Sequence, residues 1–408
     1  MDFVDGVLRI ESFLAVTLGI IVLFLGRRLT QMSSFLKEFS IPEPVSGGIL
    51  VSVIFTIIYY AAGVNVEFDL ATRDLLLVYF FTTIGINASL KDLLKGGKPL
   101  IVLLVITIGY MLIQNLTGIG VATLLDQPPV VGMLSGSVSL IGGHGTAIAW
   151  SPKIADMFGL QTAMEIGIAS ATFGLILASL MGGPIAKYLI NKHNLTPSKV
   201  EKMDVGTSPD KPDPKITSYD FLDAMLAIHI CIIIGGILNE VVSQLGLDLP
   251  LFVTCLFAGI LISNLIPDNY PRLTGTRWPS RKPAVALIAD MALGAFLAMS
   301  LMSMQLWALV DLAGPIFMIL GAQFIVAILV AIFVVFPLMG KTYDAAVVCS
   351  GFGGISLGST PTAMANMSAV TQKYGNSHQA FIIVPLVCAF FIDLANALII
   401  PYFLKVLG

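Results

Sequence analysis

Apolar residues in this chain come in long unbroken runs, and its charges collect between the runs. A hydrocarbon core of about 30 Å is crossed by about 20 apolar residues in a helix. Runs of that order predict ten spans: Glu11 to Gly26, Val45 to Gly63, Asp74 to Leu90, Pro99 to Leu125, Ala163 to Ala186, Tyr219 to Val242, Pro250 to Ile266, Pro283 to Met304, Ala313 to Gly340 and His378 to Phe403. Two further apolar stretches break the pattern. Pro129 to Trp150 contains VVGMLSGSVSLIGGHGTAIAW, and Asp344 to Met367 contains DAAVVCSGFGGISLGSTPTAMANM. Each interior glycine costs a helix about 1 kcal/mol against alanine, so the middle of each stretch is expected to unwind. Both are therefore read as re-entrant hairpins, with helical arms and an irregular tip. Such backbone is tolerated at membrane depth only where protein surrounds it or water lines it.

Basic residues choose between a hairpin and a crossing, because a crossing reverses the side of every later loop. With two hairpins and an outer N-terminus, 18 of the 22 lysines and arginines fall in inner loops, as the positive-inside rule requires. The outer loops keep only Arg9, Arg73, Lys153 and Lys405. Treating Pro129 to Trp150 as one crossing would put the six lysines from Lys187 to Lys215 outside. Their segment, Lys187 to Ser218, holds prolines and charges without apolar periodicity, and it reads as a solvated cytoplasmic linker.

That linker separates an N-terminal repeat over 1–186 from a C-terminal repeat over 219–408, with both termini expected on the periplasmic side. Each repeat has five spans and a hairpin between the fourth and fifth. Five is odd, so the second half is inserted upside down. The fold class expected is an all-α polytopic membrane protein of two inverted repeats, a pattern of many secondary transporters. At an offset of 216, Asp74 meets Asp290, Pro99 meets Pro315, Thr146-Ala147 meets Thr362-Ala363, and Gly159 meets Gly375. The hairpins also share Ser-Gly followed by Gly-x-x-x-Thr-Ala, and their tips, entering from opposite faces, are expected to meet near the midplane.

Composition narrows the class. With 56% hydrophobic and 12% charged residues and a mean hydropathy of +0.91 over 408 residues, a soluble enzyme is excluded. A soluble surface needs about a quarter of its residues charged. The net charge of −3 and the lack of a basic tract leave no grip for a nucleic acid backbone. Cys231, Cys255, Cys349 and Cys388 lie in apolar runs without CxxC or Cys/His spacing, so they read as buried hydrophobes. The opening MDFVDGVLRIES has no basic n-region, and the first apolar run is not expected to be a cleavable signal.

An unwound tip exposes NH and C=O groups that cost several kcal/mol each if unpaired in lipid, and a polar ligand satisfies them. Half-helix N-termini suit carboxylates, while free carbonyls and helix C-termini suit Na⁺. Candidate substrate-binding residues are Ser135, Ser137, Gly142, Gly143, His144, Gly145 and Thr146 at the first tip, and Ser356, Ser359, Thr360 and Thr362 at the second. Small residues also serve close helix packing. Two such clusters at equivalent places, each breaking a span, favour binding.

His144 reads equally as a substrate contact or as tip packing. Candidate Na⁺ ligands are the acids Asp290 and Asp393 and the hydroxyls of Thr82 and Thr83 beside Gly85. An interfacial place for the acids and back-bonding of the threonines are the alternatives. No lysine or arginine is embedded in a span, so an anionic substrate would be held by backbone donors, hydroxyls and co-bound Na⁺. No Ser/Lys, Ser/His or paired-Asp arrangement accompanies the tips, and catalysis is not expected.

IPEPVSGG (Ile41 to Gly48), SGSVSLIGGHGTA (Ser135 to Ala147) and SGFGGISLGSTPTAMANM (Ser350 to Met367) resemble the bacterial sodium/glutamate symporter family, and the resemblance runs over essentially the whole chain. It implies Na⁺-driven glutamate uptake across a bacterial inner membrane, with Na⁺ as the co-transported ion, and a homodimer. The alternatives are a Na⁺-coupled carrier of another small carboxylate such as citrate, or a channel built from re-entrant hairpins. In an elevator-like cycle, the hairpins would move with the spans Asp74 to Leu90 and Pro283 to Met304, candidates for broken helices, against a framework supplying the dimer contact.

Overall fold

In lipid a segment must satisfy its own backbone hydrogen bonds, so the apolar runs become helices. The computed structural model describes residues 2–4, 7–38, 41–88, 97–197, 216–245, 249–266, 275, 277–280, 282–307 and 312–408. Most of the expected linker and residues 89–96 lie outside them. The first half contains α1 (Ser12–Met32), α2 (Ser34–Glu38), α3 (Glu43–Ala62), α4 (Ala71–Asn87), α5 (Gly97–Leu124), α6 (Pro129–Val138), α7 (Gly143–Phe158) and α8 (Ala163–His193). The second contains α9 (Ser218–Gln244), α10 (Leu251–Leu265), α11 (Pro283–Met302), α12 (Ala313–Leu338), α13 (Tyr343–Leu357), α14 (Thr360–Tyr374), α15 (His378–Leu386) and α16 (Ile392–Leu407).

Among the described residues seven helices are long and apolar enough to cross a membrane: α1, α3, α5, α8, α9, α11 and α12. The protein is thus a mostly helical, polytopic membrane protein. Of the other expected spans, α4 has 17 residues and α10 has 15. The last runs from α15 into α16 through a π-helical turn at Val387–Phe391, which re-aims the side chains that follow.

Both glycine-dense stretches are interrupted. In α6 the helix leaves helical geometry at Ser135 (φ −85°, ψ 18°) and Gly136 (φ −114°, ψ −132°), and regular helix resumes at Gly143. Between α13 and α14 the break falls at Gly358 (φ −140°, ψ −109°) and Ser359. The second arms extend past Trp150 and Met367 to Phe158 and Tyr374, where Gly159 (φ 66°) and Gly375 (φ 122°) end them in conformations that favour glycine.

Three features differ from the sequence expectation. A small sheet forms from β1 (Asp2–Val4), β2 (Val7–Ile10) and β3 (Asn65–Phe68), with β1 antiparallel and β3 parallel to β2. Arg9 pairs with Glu67 across it at 3.4 Å. Second, α4 and α11 are uninterrupted rather than broken. Gly85 serves a close approach instead, since a Cβ there would lie 2.2 Å from the Leu256 carbonyl of α10.

Third, α4 and α11 pack with α1, α3, α9 and α10, whereas the broken helices pack with α5, α8 and α12. One continuous core joins the two groups, with Phe252 of α10 lying between Phe81 (4.7 Å between centroids) and Trp150 (5.8 Å).

Candidate functional site

The two breaks and the last helix meet at a cavity of about 140 Å³. Gly142 and Gly143 line it from the first break, Gly358, Ser359 and Thr360 from the second, and Cys388 and Asp393 from the last helix, with three isoleucines completing the wall. Helices α7 and α14 both begin here, at Gly143 and Thr360. A helix leaves its first amides unpaired and carries the positive end of its dipole there. Two such ends therefore face one small space.

Asp393 is the acid of this cavity. The Thr146 side chain lies beside its carboxylate, bringing the start of α7 against α16. Among the described residues no cationic side chain forms an ion pair with it. Thr360 lies beside Cys388 in the same lining, and the hydroxyls of Ser359 and Thr362 lie 3.0 Å apart.

Amide side chains hold the loose backbone behind the cavity. The Ser137 N–H donates to Asn115 Oδ1 at 2.9 Å, and its carbonyl accepts from Asn396 Nδ2 at 3.2 Å. Gln114 Nε2 donates to the Ser356 carbonyl at 2.7 Å, and Gln323 Nε2 donates to the Gln114 carbonyl at 2.7 Å. All four amides are buried. Sequence reasoning missed them because it searched the spans for ionisable groups. Their signal was visible as neutral amides inside apolar runs, in YMLIQNLTG, GAQFIV and LANAL.

The expected site residues divide. Gly142, Gly143, Ser359, Thr360 and Asp393 line the cavity. Thr146 reaches it through Asp393, and Thr362 supports Ser359. The remaining candidates pack the tips. Ser135 Oγ meets Ser170 Oγ at 2.8 Å, and His144 Nε2 meets Thr172 Oγ1 at 2.9 Å, both on α8. Gly145 faces the rings of Phe296 and Phe80. The Ser356 hydroxyl bonds back to the Gly353 carbonyl at 3.2 Å. Ser137 sits between the two asparagines, its own hydroxyl unpaired.

Thr82, Thr83 and Asp290 do not line the cavity. The two threonines bond back to the carbonyls of Val78 and Phe80, each at 2.6 Å, and Asp290 is on an exposed face of α11. Glu165 is buried at the start of α8 and accepts from the Gln305 N–H at 3.3 Å.

A polytopic helical membrane protein with a small cavity between broken helices, carrying opposed helix N-termini and one carboxylate, belongs to the solute-carrying class of membrane proteins. Comparison with known sequences agrees. The sodium/glutamate symporter family profile matches residues 8–376. The sodium/glutamate symporter of Escherichia coli (strain K12) is 42% identical over 400 residues, covering 97% of this chain and 98% of that protein. That of Shigella flexneri is also 42% identical over 400 residues, with the same coverage. That of Haemophilus influenzae is 40% identical over 391 residues, 95% of each chain. The chain belongs to the sodium/glutamate symporter family.

Proposed function

We propose that this protein couples glutamate uptake to Na⁺ entry across a bacterial inner membrane by alternating access through the cavity between the two breaks. The convergence of the α7 and α14 N-termini on Asp393 carries the reading. Unpaired amides and positive dipole ends hold the substrate's carboxylates. The carboxylate of Asp393 keeps a cation beside them, so ion and substrate neutralise each other in a low dielectric. A tenfold Na⁺ gradient supplies about 1.4 kcal/mol per ion, and about 100 mV adds about 2.3 kcal/mol per positive charge. One Na⁺ with glutamate is electroneutral, so the potential drives uptake only when two or more ions accompany it.

The two halves are inverted repeats with re-entrant hairpins. Matching contacts support this: α1 against α3 and α9 against α10, α3 against α11 and α10 against α4, with α4 against α11 relating to itself. Gly159 and Gly375, at the offset of 216, end α7 and α14. With 15 residues each, α13 and α14 span about 22 Å, short of the hydrocarbon core, and they pack along each other. The breaks move with α5, α8, α12 and α16, while α1, α3, α4, α9, α10 and α11 form the framework and supply a homodimer contact. The linker between α8 and α9, shorter than 187–218 because α8 runs on to His193, lies in the cytoplasm and both termini in the periplasm.

The test is uptake by purified protein in liposomes. An inward Na⁺ gradient is expected to concentrate labelled glutamate above equilibrium, and choline in place of Na⁺ to abolish this. Uptake that only equilibrates would indicate a pore, and citrate outcompeting glutamate would reassign the substrate.

A further inference from the structure

We infer that the co-transported Na⁺ binds between Asp393, Asn396 and Ser137, one helical turn beneath the cavity. The inference rests on reading the cavity as the glutamate and Na⁺ site, and it names the ion's ligands. Residues 393 and 396 stand three apart on α16 and therefore share a face. Asn396 is 1% exposed. Its orientation is set by Nδ2, which donates to the Ser137 carbonyl, and this leaves Oδ1 with no donor. The Ser137 hydroxyl, fully buried, likewise has no partner among the described residues. An unpaired buried polar atom costs about 1–3 kcal/mol. Here the amide one helical turn from Asp393 and the hydroxyl of the residue it holds each keep an unpaired oxygen, and Asp393 forms no ion pair among the described residues; together they make a donor set suited to a hard cation.

The opposite amide clarifies the polarity. Asn115 uses its oxygen on the Ser137 N–H and is left with Nδ2 unpaired, so it holds the peptide but offers no ligand to a cation. The cation side is therefore the Asn396 side. Substrate ammonium fits less well, because the Asn396 amide lies close against Gly142, where a Cβ would come within 2.8 Å of its Nδ2 and leave little room. A monatomic ion reaches such a place, and an amino acid does not. The positive ends of α7 and α14 also bias the cavity itself toward carboxylates.

Thermal unfolding of the purified full-length protein, titrated with NaCl against choline chloride at constant ionic strength and without glutamate, reads the site directly. Wild type is expected to gain stability with Na⁺. Asn396→Ala and Ser137→Ala are each expected to need roughly 10- to 100-fold more Na⁺ for the same gain. In liposomes the half-saturating Na⁺ should rise in parallel, while the glutamate KM at saturating Na⁺ stays near wild type. Ser137→Ala removes one hydroxyl and keeps the test available if Asn396→Ala does not fold. A wild-type Na⁺ response in both variants would overturn the assignment. So would an Asp393→Asn variant that raises the glutamate KM with its Na⁺ dependence unchanged, since the carboxylate would then serve the substrate ammonium. Absence of glutamate uptake by wild type rejects the functional reading alone, and the substrate-free titration still decides the ion site.

Discussion

Thr146 and Thr83 show what separates a binding hydroxyl from a structural one. Both are buried threonines near glycine in apolar segments. Thr83 spends its hydroxyl on the Phe80 carbonyl, which already belongs to its helix, whereas Thr146 stands beside the Asp393 side chain of another helix. A buried polar group deprived of its polar neighbour costs about 1–3 kcal/mol. Thr146→Val is therefore expected to lower Na⁺-driven glutamate uptake about 10- to 100-fold, with Thr146→Ser restoring most of it. Thr83→Ala should leave transport near wild type. Initial rates in liposomes at matched protein density check both. The sequence showed the hydroxyls but not their partners, because a helical threonine has its own carbonyls within reach and only a neighbouring helix offers an alternative.

At the scale of elements, glycine has different meanings at different places. Gly118 of α5 and Gly132 of α6 stand at a backbone crossing so close that a Cβ on Gly132 would lie 2.0 Å from the Gly118 carbonyl. Gly109, on the same α5, has nothing within 4 Å of a Cβ. Gly132→Leu is expected to destabilise by at least the 1–3 kcal/mol typical of overpacking, and to lower the unfolding temperature measurably. Gly109→Ala should be neutral or stabilising by up to about 1 kcal/mol. Thermal melts of the two variants in one detergent decide it. Glycine density located both interruptions, since the helical penalty is local. The expected break in α4 did not occur, because a single glycine costs only about 1 kcal/mol, lipid offers the backbone no other partners, and Gly85 is used against α10.

At the scale of the molecule, the two helix groups meet in few places, and Glu165 marks one. Its carboxylate, at the start of α8, accepts from Gln305 just after α11. A Glu165→Cys, Gln305→Cys pair, oxidised, is expected to stop uptake and a reductant to restore it, because the bond spans the moving boundary. A Ser12→Cys, Thr72→Cys pair joins α1 to the segment of α4 within the framework, where the native hydroxyls lie 2.7 Å apart. That cross-link should leave uptake intact. The four native cysteines are buried and do not compete. Uptake that survived full oxidation of the first pair would reject relative motion of the two groups.

The order of apolar runs and glycine clusters in the sequence was sufficient for a polytopic helical membrane protein with two interrupted stretches, and for several groups that meet at the cavity: Gly142, Gly143, Ser359, Thr360 and Asp393. Length, hydropathy and helix propensity are properties of contiguous residues, so they are legible in the chain itself. Tertiary structure alone decided that Asn115 and Asn396 hold the backbone of Ser137 from its two sides, that Asp290 faces away, and that α4 and α11 pack with the framework. Each of these depends on which faces of helices far apart in sequence come together, and the runs are so uniformly apolar that no periodicity reveals those faces.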